Sequence, residues 1–327
     1  MFAIQVQAEE AGRPLAWVET DDPVCHPGEV IVDIHATSLN RADLLQRAGK
    51  YPPPAGASEI LGLDMAGRIA QVGDQVRGWQ IGDRVCALLP GGGYAEQVAV
   101  PGQMLMPIPK GWRYDQAAAM PEVFMTAFAN IFMEAAFQPG ETVLMHGGAG
   151  GVGTAAIQLV REAGGRMIVT AGMDSKVAQC RELGAGLAVN YKKEDFVERT
   201  LAHTGGEGVD IIIDIVGAEY LERNLRLLKT RGRLVFLAVL GSSRAEINIG
   251  MLMGRRLRLI GSVLRSRSLA EKTEIKERFM ARFWHRLEDG SIEPVIDSVY
   301  PIEQANKAHQ RMAANRNTGK IVLKIKA

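Results

Sequence analysis

Cysteine is scarce in this 327-residue chain: Cys25, Cys86 and Cys180 are widely spaced and odd in number. Such a set argues against a disulfide framework and suits a reduced, cytoplasmic setting, where each thiol is expected to pack as a small buried hydrophobe. An excess of one charge is also lacking. Lys and Arg number 38 against 37 Asp and Glu, a formal net charge of +1. No global field therefore draws the chain to nucleic acid or acidic lipid, and no aromatic-basic groove is evident. No apolar run reaches the roughly 18 residues of a membrane span. The opening Met1-Phe2-Ala3-Ile4-Gln5-Val6-Gln7 alternates like a strand and lacks the charged start and apolar core of a signal peptide. Internal repeats and low-complexity segments are missing too.

What is present is a change of pattern along the chain. The first stretch, 1–118, is rich in β patterns and turns, with strands expected at 29–36, 67–73, 83–88 and 94–100. Residues 115–137 are rich in Ala and Met and read as a long helix or helix pair ending at Gln138-Pro139-Gly140. From 142 onward apolar strands alternate with amphipathic helices. Strands are expected at 142–146, 166–170, up to 191, and at 209–216, 234–240 and 257–263, with Leu221, Leu225 and Leu228 on one helix face. This alternation predicts a doubly wound parallel sheet of the Rossmann type. The tail, with Phe279, Phe283 and Leu287 on one helix and a last strand at 320–325, is expected to pack back on the first domain. The domains are therefore drawn as 1–118 with 266–327, and 119–265.

The turn His146-Gly147-Gly148-Ala149-Gly150-Gly151-Val152-Gly153 sits between the first of these strands and its helix. Gly148, Gly150 and Gly153 satisfy G-x-G-x-x-G. Small residues let a pyrophosphate approach bare N–H groups at a positive helix end, so Gly147 to Gly153, with Val152, are expected to hold a nicotinamide dinucleotide. NAD enzymes usually place an acid at the tip of the second strand, but here it ends Val169-Thr170-Ala171-Gly172. The first acid, Asp174, reads better as a helix N-cap than as a ribose acceptor. Gly172 leaves room for a 2′-phosphate, Lys176 can neutralise it, and Tyr191 can lie over the adenosine end. NADPH is the cofactor this pattern favours.

Dehydrogenases of this two-domain layout often hold a catalytic zinc, which needs three protein ligands. No Gly-His-Glu motif is present; the matching stretch reads Leu61-Gly62-Leu63-Asp64-Met65-Ala66-Gly67, and no four clustered cysteines exist for a structural zinc. His35 and His146 lie singly in strand patterns and are expected in the core. No metal is expected, so carbonyl polarisation falls to hydrogen bonds and the cofactor.

Asn40-Arg41-Ala42-Asp43, the Gly49-Lys50-Tyr51-Pro52-Pro53-Pro54 turn, Gly82-Asp83-Arg84-Val85 and the Gly147–Gly153 turn together resemble zinc-free medium-chain dehydrogenase/reductases, most closely quinone oxidoreductases. The runs Leu88-Leu89-Pro90-Gly91-Gly92-Gly93, Thr170-Ala171-Gly172, Asn190-Tyr191-Lys192-Lys193-Glu194-Asp195-Phe196 and Leu264-Arg265-Ser266-Arg267 resemble the tumour-suppressor-inducible NADPH quinone oxidoreductase branch. The resemblance implies a β-rich GroES-like domain beside the Rossmann domain and a homodimer or homotetramer. By position it implies that Asn40 and Tyr51 line the substrate side and that Thr126 lies near the nicotinamide. It implies that Ala238, Val239 and Leu240 with Ser262, Val263 and Leu264 border that ring through their backbone. Relatives in this branch can carry a Ser within the glycine turn, and this chain has no hydroxyl residue there.

Each of these residues has a plainer alternative. Tyr51 either faces the substrate or packs on its three prolines, Asn40 either donates to a quinone oxygen or caps a turn, and Thr126 either serves the site or bonds its own helix. Asp43 reads as a helix N-terminal acid. Met120, Met125 and Met133 read as core, and Arg255, Arg256, Arg258, Arg265 and Arg267 read as a solvated basic face or a phosphate or subunit contact. The expected activity is reduction of a small-molecule quinone or conjugated carbonyl by NADPH. An enone reductase or a non-catalytic NADPH-binding sensor is the alternative.

Overall fold

The computed structural model describes residues 1–326. In chain order the first elements are β1 (Phe2–Val6), β2 (Leu15–Glu19), β3 (Glu29–Ser38), α1 (Arg41–Arg47), β4 (Asp64–Val72), β5 (Arg84–Leu88), β6 (Gln97–Pro101), β7 (Met106–Pro107) and α2 (Tyr114–Ala118). Next come α3 (Pro121–Phe128), β8 (Thr142–His146), α4 (Gly151–Glu162), β9 (Arg166–Ala171), α5 (Asp174–Glu182), β10 (Leu187–Asn190) and α6 (Phe196–His203). They are followed by β11 (Val209–Asp214), α7 (Ala218–Leu227), β12 (Leu228–Phe236), α8 (Ile249–Arg255) and β13 (Arg258–Gly261). The tail holds α9 (Leu269–Glu288), β14 (Ile296–Pro301), α10 (Ala305–Ala313) and β15 (Lys320–Lys324).

Two compact units result: Met1–Val123 with the chain from Arg265 onward, and Phe124–Leu264. In the first, strands run in the order β14-β15-β3-β4-β5-β7, with β6 also on β3 and β1-β2 a separate pair. The tail joins this unit through β15, which is antiparallel to β3. Leu39, Leu61, Tyr94, Ile302, Ile321 and Leu323 belong to its core.

The second unit is a six-stranded sheet, β10-β9-β8-β11-β12-β13, parallel throughout. Its strands are apolar runs because both faces are covered, with Leu144, Ile168, Ile212 and Leu234 buried beside Phe196 and Leu225. The order proceeds outward from β8 to β9 and β10, then crosses back to β11. The carboxyl ends of β8 and β11 thus flank the switch point, where doubly wound sheets take ligands.

Three expectations shift, at Leu228, at residues 237–240 and at Cys25, while the stretch 115–137 takes its helix-pair form. The stretch 115–137 is broken, because Pro121 lacks an N–H and restricts the residue before it. Helix α3 then widens into a π-helical turn, Ala129–Glu134. There the Asn130 side-chain amide donates to the Thr126 carbonyl at 2.7 Å, and Ala135 N–H reaches back to Asn130 O. Leu228 opens β12 rather than continuing the α7 face. Residues 237–240 leave the sheet after Phe236, because Leu237 and Leu240 donate to the carbonyls of Asp214 and Ile215, where β11 ends and its loop begins. Cys86 and Cys180 are buried and all three thiols are free, but Cys25 is only half-buried, its Sγ donating to the Glu29 carbonyl at 3.4 Å.

Candidate active site

The Gly147–Gly153 turn follows β8 and opens α4 at the switch point. Gly147 has φ +77°, a left-handed backbone that favours glycine. A Cβ on Gly148 would lie 2.4 Å from Val169 Cβ, and one on Gly153 would lie 2.4 Å from the Gly148 carbonyl oxygen. These two glycines let β9 and α4 close on the turn. Gly150 is different. A Cβ there meets nothing nearer than the Gly147 oxygen at 3.3 Å. Gly150 is also the N-cap and has no side chain to cap the first-turn N–H groups of α4. Those donors, with the helix dipole behind them, suit the pyrophosphate of a dinucleotide.

At the tip of β9, the N-cap of α5 is Met173, not Asp174 as the sequence suggests. Asp174 is the first helical residue. Its carboxylate accepts from Asn190 Nδ2 at 2.6 Å and from Lys193 Nζ at 2.5 Å, and these bonds hold its pKa below the usual carboxylate value. Tyr191, half-exposed, lays its phenol across Gly172, where a Cβ would meet the hydroxyl at 2.8 Å. The space at Gly172 is thus filled by Tyr191 rather than left open. Lys176 lies half-buried in the first turn of α5.

Beneath the turn is a buried polar chain that sequence reasoning missed. His146 Nε2 and Asn224 Oδ1 are 2.8 Å apart, and Asn224 Nδ2 donates to Asp214 Oδ2 at 3.2 Å. Since the Asn oxygen accepts, His146 carries its proton on Nε2, leaving Nδ1 to accept from the Thr170 hydroxyl at 3.1 Å. Burial drives the His146 pKa down to about 4 and that of His309 in the other unit to about 3. Asp43, pushed up by burial to about 6, acts in the opposite sense. For the histidines, the unfolded chain binds protons below about pH 6.5 while the fold stays neutral, so stability falls with acidification until about pH 4 for His146 and about pH 3 for His309. We predict that His146→Gln removes an acid-dependent loss of about 3 kcal/mol across this window. Urea melts at pH 7 and pH 4.5 that fall equally in both proteins would refute it.

Among the residues expected to border the nicotinamide, Ser262 and Leu264 are buried, whereas Ala238, Val239, Leu240 and Val263 are exposed. Ser262 N–H donates to Phe236 O. Thr126 is buried in α3 with its carbonyl held by Asn130.

In the first unit Asn40, the N-cap of α1, is buried with both ends of its amide engaged. Its Nδ2 donates to Asp64 Oδ2 at 2.8 Å and its Oδ1 accepts from Lys320 Nζ at 2.6 Å. Asp64, at the start of β4, also accepts from Lys320 Nζ at 3.0 Å, Ser38 Oγ at 2.7 Å and Glu122 N–H at 2.6 Å. Neither Asp64 nor Lys320 stood out in the sequence; a Lys opening an apolar last strand was the available signal. Asp43 sits in the first turn of α1, accepting from Asn40 N–H and Gly62 N–H.

Tyr51 is half-buried, which raises its pKa, and the Arg265 guanidinium carbon lies 5.3 Å from its ring centroid. Arg265 is not on a solvated face. It is 6% exposed and donates to Pro90 O at 2.8 Å and Gln46 Oε1 at 2.7 Å. Arg255 likewise donates to the carbonyls of Leu225, Arg226 and Leu228.

Among the described residues no three His, Cys, Asp or Glu side chains gather to hold a metal ion. Asp64 is neutralised by Lys320, and His35 stacks on Tyr114 at 4.1 Å. The residues present do not fit a zinc ion.

A parallel doubly wound unit with this turn, joined in one chain to a β-rich unit, defines a nicotinamide-dependent oxidoreductase. Residues 26–110 match the alcohol dehydrogenase GroES-like domain, and residues 151–283 match the zinc-binding dehydrogenase family. Mouse quinone oxidoreductase is 33% identical over 305 residues, 92% of this chain and 90% of its own length. The solved quinone oxidoreductase of Thermus thermophilus, whose structures include an NADPH complex, is 33% identical with a TM-score of 0.82, covering 99% of this chain and 100% of that one. The CurK enoyl reductase is 27% identical with a TM-score of 0.87, covering 99% and 98%. The chain belongs to the quinone oxidoreductase family of the medium-chain dehydrogenases/reductases.

Proposed function

We propose that the chain is a zinc-independent, NADPH-dependent reductase that passes a hydride to a quinone or similar conjugated carbonyl. The observation that carries the choice of NADPH is the tip of β9. Its nearest carboxylate, Asp174, is tied to Asn190 and Lys193, which leaves it poorly disposed to hold a ribose diol. Lys176 offers a cation and Tyr191 a phenol to a 2′-phosphate. When bound, the dinucleotide supplies the hydride from C4 of its nicotinamide.

The chain's own residues bind, orient and protonate. The α4 amides anchor the pyrophosphate, and the backbone at Ala238–Leu240 and Ser262–Leu264 borders the ring. Asn40, with one amide hydrogen beyond its bond to Asp64, donates to the oxygen that gains charge, and Tyr51 delivers the proton. Thr126 packs at the nicotinamide end.

Titration with NADPH and NADH, followed by turnover on 1,2-naphthoquinone, tests this. NADPH is expected to bind at least about tenfold more tightly, a difference of ~1.4 kcal/mol, and Lys176→Met to erase most of that margin. Equal affinities would remove the NADPH assignment. Unchanged turnover in Tyr51→Phe would remove the proton-donor role. The likeness to an enoyl reductase favours a second reading, reduction of a conjugated enone. Faster turnover on a small enone than on the quinone would select it.

A further inference from the structure

The parallel register places Val143, Ile211, Arg233 and Arg258 side by side across β8, β11, β12 and β13. This row lies toward the amino ends of β8, β11 and β13, whereas the glycine turn leaves the carboxyl end of β8. A cavity of about 490 Å³ opens here, lined by Arg231, Arg233, Arg256 and Arg258 with Ala136 and Glu141 among its other residues. Glu141 is consumed by a two-point contact with Arg233, at 2.8 and 2.7 Å. The guanidinium groups of Arg231, Arg256 and Arg258 have no ion-pair or hydrogen-bond partner among the described residues, and all three are exposed.

The backbone is also unusual. Five non-glycine residues have positive φ among those described, and three of them line this cavity: Ala136 (+51°), Arg231 (+66°) and Arg256 (+52°). Bulky residues held in that region mark places where the surroundings enforce a particular side-chain direction. Here two of the three are arginines beside a third cation. Nothing in the fold's own charge balance uses them.

We propose that this cavity is a second binding site, for a small oligophosphate carrying two or three phosphate groups. Planar guanidinium forks match phosphate oxygens, and three of them offset most of the charge of such an anion. The lining contains no aromatic ring to stack a base. Recognition is therefore of the phosphate chain itself.

Calorimetric titration with tripolyphosphate, pyrophosphate and citrate tests this, with the nicotinamide dinucleotide held at saturation so that the glycine turn is filled. One site is expected, tightest for tripolyphosphate. A double variant, Arg231→Gly with Arg256→Gly, removes two cations where glycine accepts the left-handed backbone. It is expected to weaken tripolyphosphate by at least about tenfold while dinucleotide affinity and circular dichroism stay unchanged. Absence of binding at dinucleotide saturation, or equal affinity in the variant, would overturn the site. Citrate binding as tightly as tripolyphosphate would overturn the phosphate assignment.

Discussion

Lys320→Met is expected to lower the free energy of unfolding by about 3–5 kcal/mol, the usual cost of leaving one partner of a buried ion pair behind. Asp64 is fully buried and Lys320 nearly so. Ser38, Asn40 and the Glu122 amide would still donate to the carboxylate. Those are neutral dipoles, and they do not replace a cation in a site that water cannot reach. The loss also strips Asn40 Oδ1 of its donor. If the pair is the cause, Asp64→Asn combined with Lys320→Met should recover most of the stability, because the uncompensated charge is gone. Urea denaturation at pH 7 measures both. A loss below about 1 kcal/mol in the single variant would show that the remaining hydrogen bonds suffice.

The glycine turn gives the second large effect. Gly153→Ala is expected to cost about 1–3 kcal/mol of stability, as overpacking does, and to weaken dinucleotide binding by about tenfold or more. The added methyl would lie 2.4 Å from the Gly148 oxygen, 2.5 Å from its carbonyl carbon and 2.6 Å from the Gly147 oxygen. All three are backbone atoms, so the turn itself must move. Gly150→Ala separates folding from binding. Its φ of −77° suits alanine and its nearest neighbour is 3.3 Å away, so stability should hardly change. Weakened dinucleotide binding in Gly150→Ala then reports on the ligand approaching that face. Intact affinity in both variants would place the pyrophosphate elsewhere.

The Rossmann unit was legible because its signals are local. Apolar runs such as Val209–Asp214 recur between amphipathic helices, and the glycine spacing falls where a strand meets a helix. What was illegible depends on partners far apart in sequence. Lys320 and Asp64 are 256 positions apart, and no periodicity relates them. Arg265 stood in a basic run that read as a solvated face, but its bond to Gln46 spans 219 positions. Residues 237–240 are as apolar as a strand; their backbone bonds go to the end of β11 and the loop after it instead of continuing along β13. Asp174 sits one position past the cap, and its carboxylate is engaged by Lys193 and Asn190. Asn40 was legible as a polar residue in a turn, but its engagement with Lys320 was not.

The placement of β15 also sets an order of events during synthesis. Residues 124–264 form a contiguous unit, so its sheet can assemble as soon as that segment has left the ribosome. The other unit cannot close then, because β15 must insert between β3 and β14 and carries the counter-charge of Asp64. Until residue 320 has been made, β3 exposes part of one edge unpaired and Asp64 awaits its cation. The last strand of this sheet is thus the clasp of its first strands, and a chain cut between residues 265 and 320 would hold one finished domain and one open one.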